Sequence, residues 1–221
     1  MVLSALVLGG ALFFSFRQGG PVREEVSQVL AEEAQKAGAF GSLDEALVFA
    51  RSQVDQGQEH FSFKLLGQDL FLPVDQVNDR FHQAFSSRET YGFIYYKGFQ
   101  WEKDKLDYRF QIDYYPGGDQ ERTLATIREW IQEEGILDLD QEARVKAIHD
   151  AIVFKNDYYS SQSGLDPSST YSIYLPESLL YGQGGVCQAY ASLFLMMARE
   201  AGLEADFVVG QAGGVDHAWN M

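Results

Sequence analysis

Cysteine occurs once in the 221 residues, at position 187, and histidine only four times. A single thiol excludes an intrachain disulfide and any zinc cluster built from cysteines. The histidines, His60, His82, His149 and His217, fall at no metal-binding spacing, so neither a metal nor a cofactor is expected. Basic residues are also scarce, 17 against 32 acidic ones, which gives a formal charge of −15. That surface repels phosphate backbones and argues against nucleic acid as a partner, while mildly favouring a basic or cationic target. There is no phosphate-cradling or dinucleotide-binding glycine loop and no serine nucleophile elbow. Internal repeats and low-complexity tracts are missing too.

What is present is a core. Hydrophobic residues make up 46% and aromatics 14% of the chain, enough for one good domain with appendages or for two small ones. Val2 to Phe16 carries no charge and is mostly apolar, a length between a signal-peptide core and a full membrane span. Residues 1–20 are therefore expected to form a membrane anchor or signal segment, placing the protein at the cell membrane or outside the cell. Arg17 and Arg23 on the C-terminal side of the run would by charge bias keep the body inside.

After Gly19-Gly20-Pro21, Val22 to Lys36 reads as a helix. Ser42 with Glu45 then makes a capping box for a second helix, Leu43 to Gln56, stopped by Gly57. Residues 21–57 are expected to be a helical hairpin or stalk. Residues 58–116 read as an α/β module with antiparallel strands. Phe61 to Leu65 alternates, Val74 to Phe85 has helical spacing, and Tyr91 to Trp101 and Leu106 to Tyr115 are strand-like. In the last, Leu106, Tyr108, Phe110, Ile112 and Tyr114 face one way, so the aromatic density is explained by a half-buried sheet more simply than by a peptide groove.

Residues 117–221 form the third body. Thr123 to Glu134 is a helix ended by Gly135, and Asp140 caps another to about Lys155, with Val145, Ile148 and Ile152 on one face and His149 beside it as a packed or hydrogen-bonded core residue. Pro176 to Tyr181 is a short helical turn. Cys187 to Ala201 is an apolar helix stopped by Gly202. Ala205 to Gly210 reads as a strand, and His217 to Met221 as the start of another. The fold class is α+β.

The chemistry gathers at Gly184-Gly185-Val186-Cys187 and Asp216-His217-Ala218-Trp219-Asn220. A thiol at a helix N-terminus meets the positive end of the macrodipole, which favours thiolate. His217 can supply the base. The two glycines leave room for a substrate backbone and free amides for an oxyanion, the Cys187 amide first among them. Trp219 is a substrate-binding or shielding candidate, better placed to cover the imidazole from water than to bind substrate, and Tyr190 reads as packing.

The run Gly-Val-Cys-Gln-Ala-Tyr-Ala, an apolar helix ending in Gly-Leu, a strand ending in Gly, and His-Ala-Trp-Asn together resemble the transglutaminase-like branch of the papain-like cysteine peptidase superfamily. The helix Arg144 to Val153, with Asn156 and Tyr158 after it, is similar to the helix such domains place ahead of the cysteine. The resemblance spans about Thr123 to Met221, and the sheet region before it resembles, less specifically, the N-terminal modules of bacterial surface members. It implies Cys187 as nucleophile and His217 as base and then acid, acting on a protein or peptide substrate through a thioester released by water or by an amine. It also implies an outward-facing body and, in the manner of a papain-type glutamine, Gln183 as an oxyanion candidate. The family's third residue, an Asp or Asn on the strand after the histidine, would lie beyond Met221. Asp216 is a poor substitute, because strand neighbours point to opposite faces. The chain is thus expected to be a fragment with little activity. The alternative is a catalytically silent surface module that binds peptides or wall polymers with the same fold.

Overall fold

The computed structural model describes residues 38–160, 170–182 and 184–221, together with the backbone of 5–8 and 11–14. The apolar N-terminal run is extended where it is described. Ala5–Leu8 (β1) and Ala11–Phe14 (β2) pair antiparallel, with Ala5 opposite Phe14 and Leu8 opposite Ala11. Gly9-Gly10 interrupts the run, and each glycine costs a helix about 1 kcal/mol relative to alanine. Among the described residues no helix is long and apolar enough to cross a membrane, so the membrane anchor expected at residues 1–20 has no spanning helix among them to support it. The helix expected at Val22 to Lys36 lies outside the described residues.

Ala39–Phe40 (β3) leads into the helix Leu43–Asp55 (α1). Its cap departs by one residue from the expected capping box: the Ser42 hydroxyl accepts the Glu45 amide, but the Glu45 carboxylate accepts the Gly41 amide at 3.0 Å in place of that of Ser42. This helix is not part of a stalk. Leu43, Ala46, Ala50 and Val54 recur every three or four residues, and that apolar stripe is buried in the same core as Phe63, Phe81 and Phe110.

The strand His60–Leu65 (β4) follows, then a 3₁₀ turn at Gln68–Phe71 and the helix Val74–Phe85 (α2), which buries Val77, Phe81 and Phe85. The stretch from Tyr91 to Trp101, expected as one strand, is divided. Gly92–Tyr95 (α3) is a helical turn and only Tyr96–Asp104 (β5) is strand, pairing with Asp107–Tyr114 (β6). The division has a packing cause: Ile94 and Tyr95 join the C-terminal core, whereas Phe99 and Trp101 pack against the N-terminal one. Gly92 permits the turn, since a Cβ there would stand 2.2 Å from an Asp55 carboxylate oxygen.

The sheet order is β3-β4-β6-β5, parallel between β3 and β4 and antiparallel elsewhere. Tyr108, Phe110 and Ile112 face inward on β6, and the register sets Phe63 opposite Tyr108 and Trp101 opposite Phe110. Phe63 and Tyr108 stack with centroids 5.2 Å apart, Phe61 and Phe110 at 4.8 Å. The aromatic density is therefore core, as the alternation indicates.

The C-terminal body centres on one helix. Gln120–Glu133 (α4), capped by Asp119, ends at Gly135 in the left-handed region (φ 61°). Gln141–Val153 (α5) is capped by Asp140, whose carboxylate accepts the Ala143 amide at 2.9 Å. After Asp157–Tyr158 (β7), Glu177–Leu180 (α6) and Gly184–Gly185 (β8) comes Cys187–Glu200 (α7). Apolar residues on most of its faces, from Ala189 through Leu193, Leu195 and Met196 to Ala198, bury it among α4, α5, α6 and the strands Phe207–Ala212 (β9) and Val215–Asn220 (β10). β9 and β10 are antiparallel and joined at Gly213-Gly214, both with positive φ, as a tight two-residue hairpin turn requires.

Two expectations for α5 change. Ile148 and Ile152 are buried, but Val145 is 42% exposed, and His149 is not packed in the core. The His149 side chain is 59% exposed and its Nδ1 meets the Asp150 carboxylate at 3.1 Å. The buried stripe is thus narrower than the apolar pattern.

The two bodies meet at arginines. An Arg88 guanidinium nitrogen donates to the Phe207 carbonyl, and the group lies 5.7 Å from that ring's centroid. Arg199 donates to the Arg88 carbonyl at 2.9 Å. The architecture is α+β.

Candidate active site

Cys187 is the first residue of α7, partly buried. The helix has no side-chain cap: Val186 is the N-cap residue, and its extended backbone carries no capping oxygen. The first amide is nevertheless satisfied. The Cys187 N–H donates to the Tyr158 hydroxyl at 3.2 Å, and the Val186 N–H donates to the Ile173 carbonyl at 3.0 Å.

The glycines ahead of the cysteine serve packing and not access, which corrects the reading of them as open space. Both are buried. Gly184 has φ 140°, and a Cβ on Gly185 would fall 2.7 Å from the Ala189 Cβ and 2.9 Å from the Ile173 carbonyl oxygen. Without side chains, β8 lies tight against the start of α7 and pairs parallel with β7, Asp157 beside Gly184 and Tyr158 beside Gly185. The Tyr159 amide closes the ladder onto the Gly185 carbonyl at 2.8 Å. Pairing fixes the backbone of Tyr158, and so its ring, next to the cysteine.

His217 is on β10, opposite Gly210 of β9, and Trp219 is opposite Val208. The two-residue period puts both rings on one face of the strand while Ala218 turns into the core. The rings lie nearly parallel, centroids 6.1 Å apart and planes 23° from each other. Glycine at 210 makes room for the indole, whose edge would be 2.8 Å from a Cβ there. Asp216 points away, its carboxylate accepting from the Gln211 side chain at 3.3 Å, so it does not orient the imidazole.

Among the described residues, one side-chain hydrogen bond joins strand to helix. The Asn220 side-chain amide donates to the Ala191 carbonyl on α7 at 3.0 Å and to the Asp206 carbonyl at 3.2 Å. Asn220 thereby sets the height of β10 against the cysteine-bearing helix, a role no pattern in the sequence gives it.

These elements wall a groove of about 260 Å³ lined by Cys187, His217, Trp219, Tyr158, Tyr190 and His149, among others. The structure therefore brings Cys187 and His217 to one cleft, with Trp219 beside the imidazole. Gln183 lies outside the described residues. Tyr190 both packs and lines the cleft, stacking on Tyr158 with centroids 5.9 Å apart. Burial pushes the Tyr190 hydroxyl up from the ordinary tyrosine range, with the Asp157 charge adding to it. Burial also raises Tyr158, as does the neighbouring cysteine sulfur, against the lowering effect of the amide it accepts. Both phenols keep their protons at neutral pH. Among the described residues no group of three His, Cys, Asp or Glu side chains could hold a metal ion. A thiol, an imidazole and a protonated phenol in one cleft can carry out acyl transfer.

Residues 132–221 match the transglutaminase-like superfamily. The C-terminal part of the chain is a transglutaminase-like domain. The matched span begins at the end of α4 and contains β7, β8, α7, β9 and β10, and with them every described residue lining the groove. No curated protein matches the chain. Two residues that line the groove, Asn220 and Tyr158, stand in the resemblance without a role.

Proposed function

We propose that the transglutaminase-like domain is a cysteine hydrolase acting on peptide or isopeptide bonds. The single observation that supports this is that the chain's one thiol, at a helix N-terminus, lines the same groove as the His217 imidazole. In this reading His217 takes the Cys187 proton and the sulfur attacks the substrate carbonyl. The tetrahedral intermediate expels its amine with the proton returned by His217, leaving a thioester. Water then cleaves the thioester, or an amine takes the acyl group. Stacking on Trp219 restrains the imidazole and keeps water from one of its faces.

Incubation with casein tests the reading, with mass spectrometry following both peptide release and an acyl adduct on Cys187. An acyl adduct on Cys187 that hydroxylamine discharges, lost together with any peptide release in Cys187→Ser, is the expected result. An unsubstituted protein that is neither acylated nor active on peptides would refute it. We also place the protein at a membrane surface through the uncharged run Val2 to Phe16. Flotation with phospholipid vesicles should be lost when residues 1–20 are removed, and flotation that persists would discard that assignment.

A further inference from the structure

Tyr158 is held beside the nucleophile by more of the fold than packing alone requires. Its backbone is paired to Gly185, its ring is stacked on Tyr190, and its hydroxyl oxygen occupies the acceptor position of the Cys187 amide at 3.2 Å. That position has a chemical meaning. When the Cys187 sulfur attacks a carbonyl, the new C–S bond puts the former carbonyl oxygen next to the amide of the same residue. The amide N–H then needs an anionic acceptor where it now has a phenolic one. The residue is also not a core tyrosine, since it remains 55% exposed and lines the groove.

We infer that Tyr158 is a catalytic residue of this site, whose hydroxyl donates a hydrogen bond to the oxyanion formed at Cys187 and shares it with the Cys187 amide. The inference rests on the acyl-transfer reading above. In the resting protein the hydroxyl stands in for the oxyanion by accepting the amide. In the intermediate the oxyanion takes that amide, and the phenol, one donor and two acceptor sites on a single oxygen, turns to donate. The raised proton affinity of the Tyr158 hydroxyl keeps this donor loaded at neutral pH. The electron count closes without a further reactant: sulfur's pair makes the C–S bond, the carbonyl π pair moves to oxygen, and it returns when the leaving group departs. Tyr158 keeps its proton throughout.

The proposal assigns a preorganised donor to a site where both Val186 and Cys187 amides are already bonded. It also gives β8 a function, because the parallel pairing of β7 with Gly184–Gly185 is what aims the phenol at the first turn of α7.

Tyr158→Phe tests it, compared with the unsubstituted protein in two reactions of the same sulfur. Acylation by 4-nitrophenyl acetate passes through an oxyanion; alkylation by iodoacetamide does not. Loss of one oxyanion donor is worth on the order of 100-fold in rate. The expected result is acylation slowed by about that factor, alkylation changed less than about twofold, and an unaltered circular dichroism spectrum. Equal acylation rates would overturn the inference. A parallel fall in both reactions would overturn it too, since the hydroxyl would then be acting on the thiol or on the local fold. If the unsubstituted protein is itself not acylated, the enzymatic reading fails and takes this inference with it. Acylation of the unsubstituted protein matched by the variant removes Tyr158 alone.

Discussion

Gly185 and Ala189 approach so closely that a Cβ on the glycine would lie 2.7 Å from the Ala189 Cβ. Ser178 Oγ at 2.8 Å and the Ile173 carbonyl at 2.9 Å close the other sides, and a backbone oxygen cannot swing away as a side chain does. Gly185→Ala is therefore expected to destabilise the protein by about 1–3 kcal/mol, the usual cost of overpacking. The strain falls on β8, so the β7 pairing that positions Tyr158 should loosen as well. Urea denaturation reads the first effect, and the acylation rate at Cys187 under folded conditions reads the second. An unchanged unfolding midpoint would show that the contact relaxes freely.

His217 and Cys187 line one groove without the imidazole having any hydrogen-bond partner among the described residues. If the ring works on the sulfur, His217→Ala should slow iodoacetamide alkylation of Cys187 near pH 6 by at least about tenfold, because a paired imidazolium favours the thiolate. Trp219→Ala should have a smaller effect of the same sign, since it removes the stacking that restrains the ring. Alkylation insensitive to both substitutions would separate the two residues chemically, whatever their proximity.

A buried carboxylate anchors the start of α4. Glu177 has no exposed surface, and one of its oxygens accepts the Asp119 amide at 2.9 Å and the Thr123 hydroxyl at 2.8 Å. Glu177→Ala leaves both donors without their acceptor, Thr123 in a fully buried position, at an expected cost of about 1–3 kcal/mol. Glu177→Gln keeps an acceptor oxygen and should cost less. The test is the ordering of the two variants in a denaturant titration, and equal losses would mean that the retained acceptor oxygen does not matter.

That Cys187 and His217 line one groove was legible because the features that mark them are local. Glycines before a cysteine, an apolar helix after it and alternation through His217 and Trp219 all operate within a few residues. The sheet faces were legible for the same reason, as the inward row of Tyr108, Phe110 and Ile112 shows. Errors arose where a distant partner decided the matter. Tyr91 to Tyr95 has strand composition, yet Ile94 and Tyr95 are drawn into the C-terminal core and the segment turns. Leu43 to Val54 carries a stripe that fits a stalk or a sheet surface equally well, and only the presence of Phe63 and Phe110 beside it selects the sheet. Tyr158 contacts Cys187 across 29 positions, and no periodicity encodes such a contact. In the sequence the glycine pair at 184 and 185 reads as space for a ligand, whereas at Gly185 that space is filled by the protein's own chain.

One buried and three half-buried tyrosines give the fold an alkaline limit. Burial pushes the hydroxyls of Tyr91 and Tyr96 up to about 12, the former helped by Glu200. It also raises Tyr95 and Tyr114, with the Glu177 and Asp55 carboxylates next in effect. An unfolded tyrosine ionises near pH 10. Because the folded values lie higher, the folded state holds these protons more tightly. Their contribution to stability is complete below about pH 10 and declines as pH rises from there through the folded values. The melting temperature should thus be insensitive to these groups between pH 7 and 9 and should fall steadily above pH 10. Tyr95→Phe, which removes the most deeply buried of the four hydroxyls, should flatten that fall. Thermal melts at half-unit pH steps, with absorbance at 295 nm reporting phenolate, measure both the slope and its origin. A loss of stability above pH 10 without phenolate appearing on unfolding would assign it to other groups.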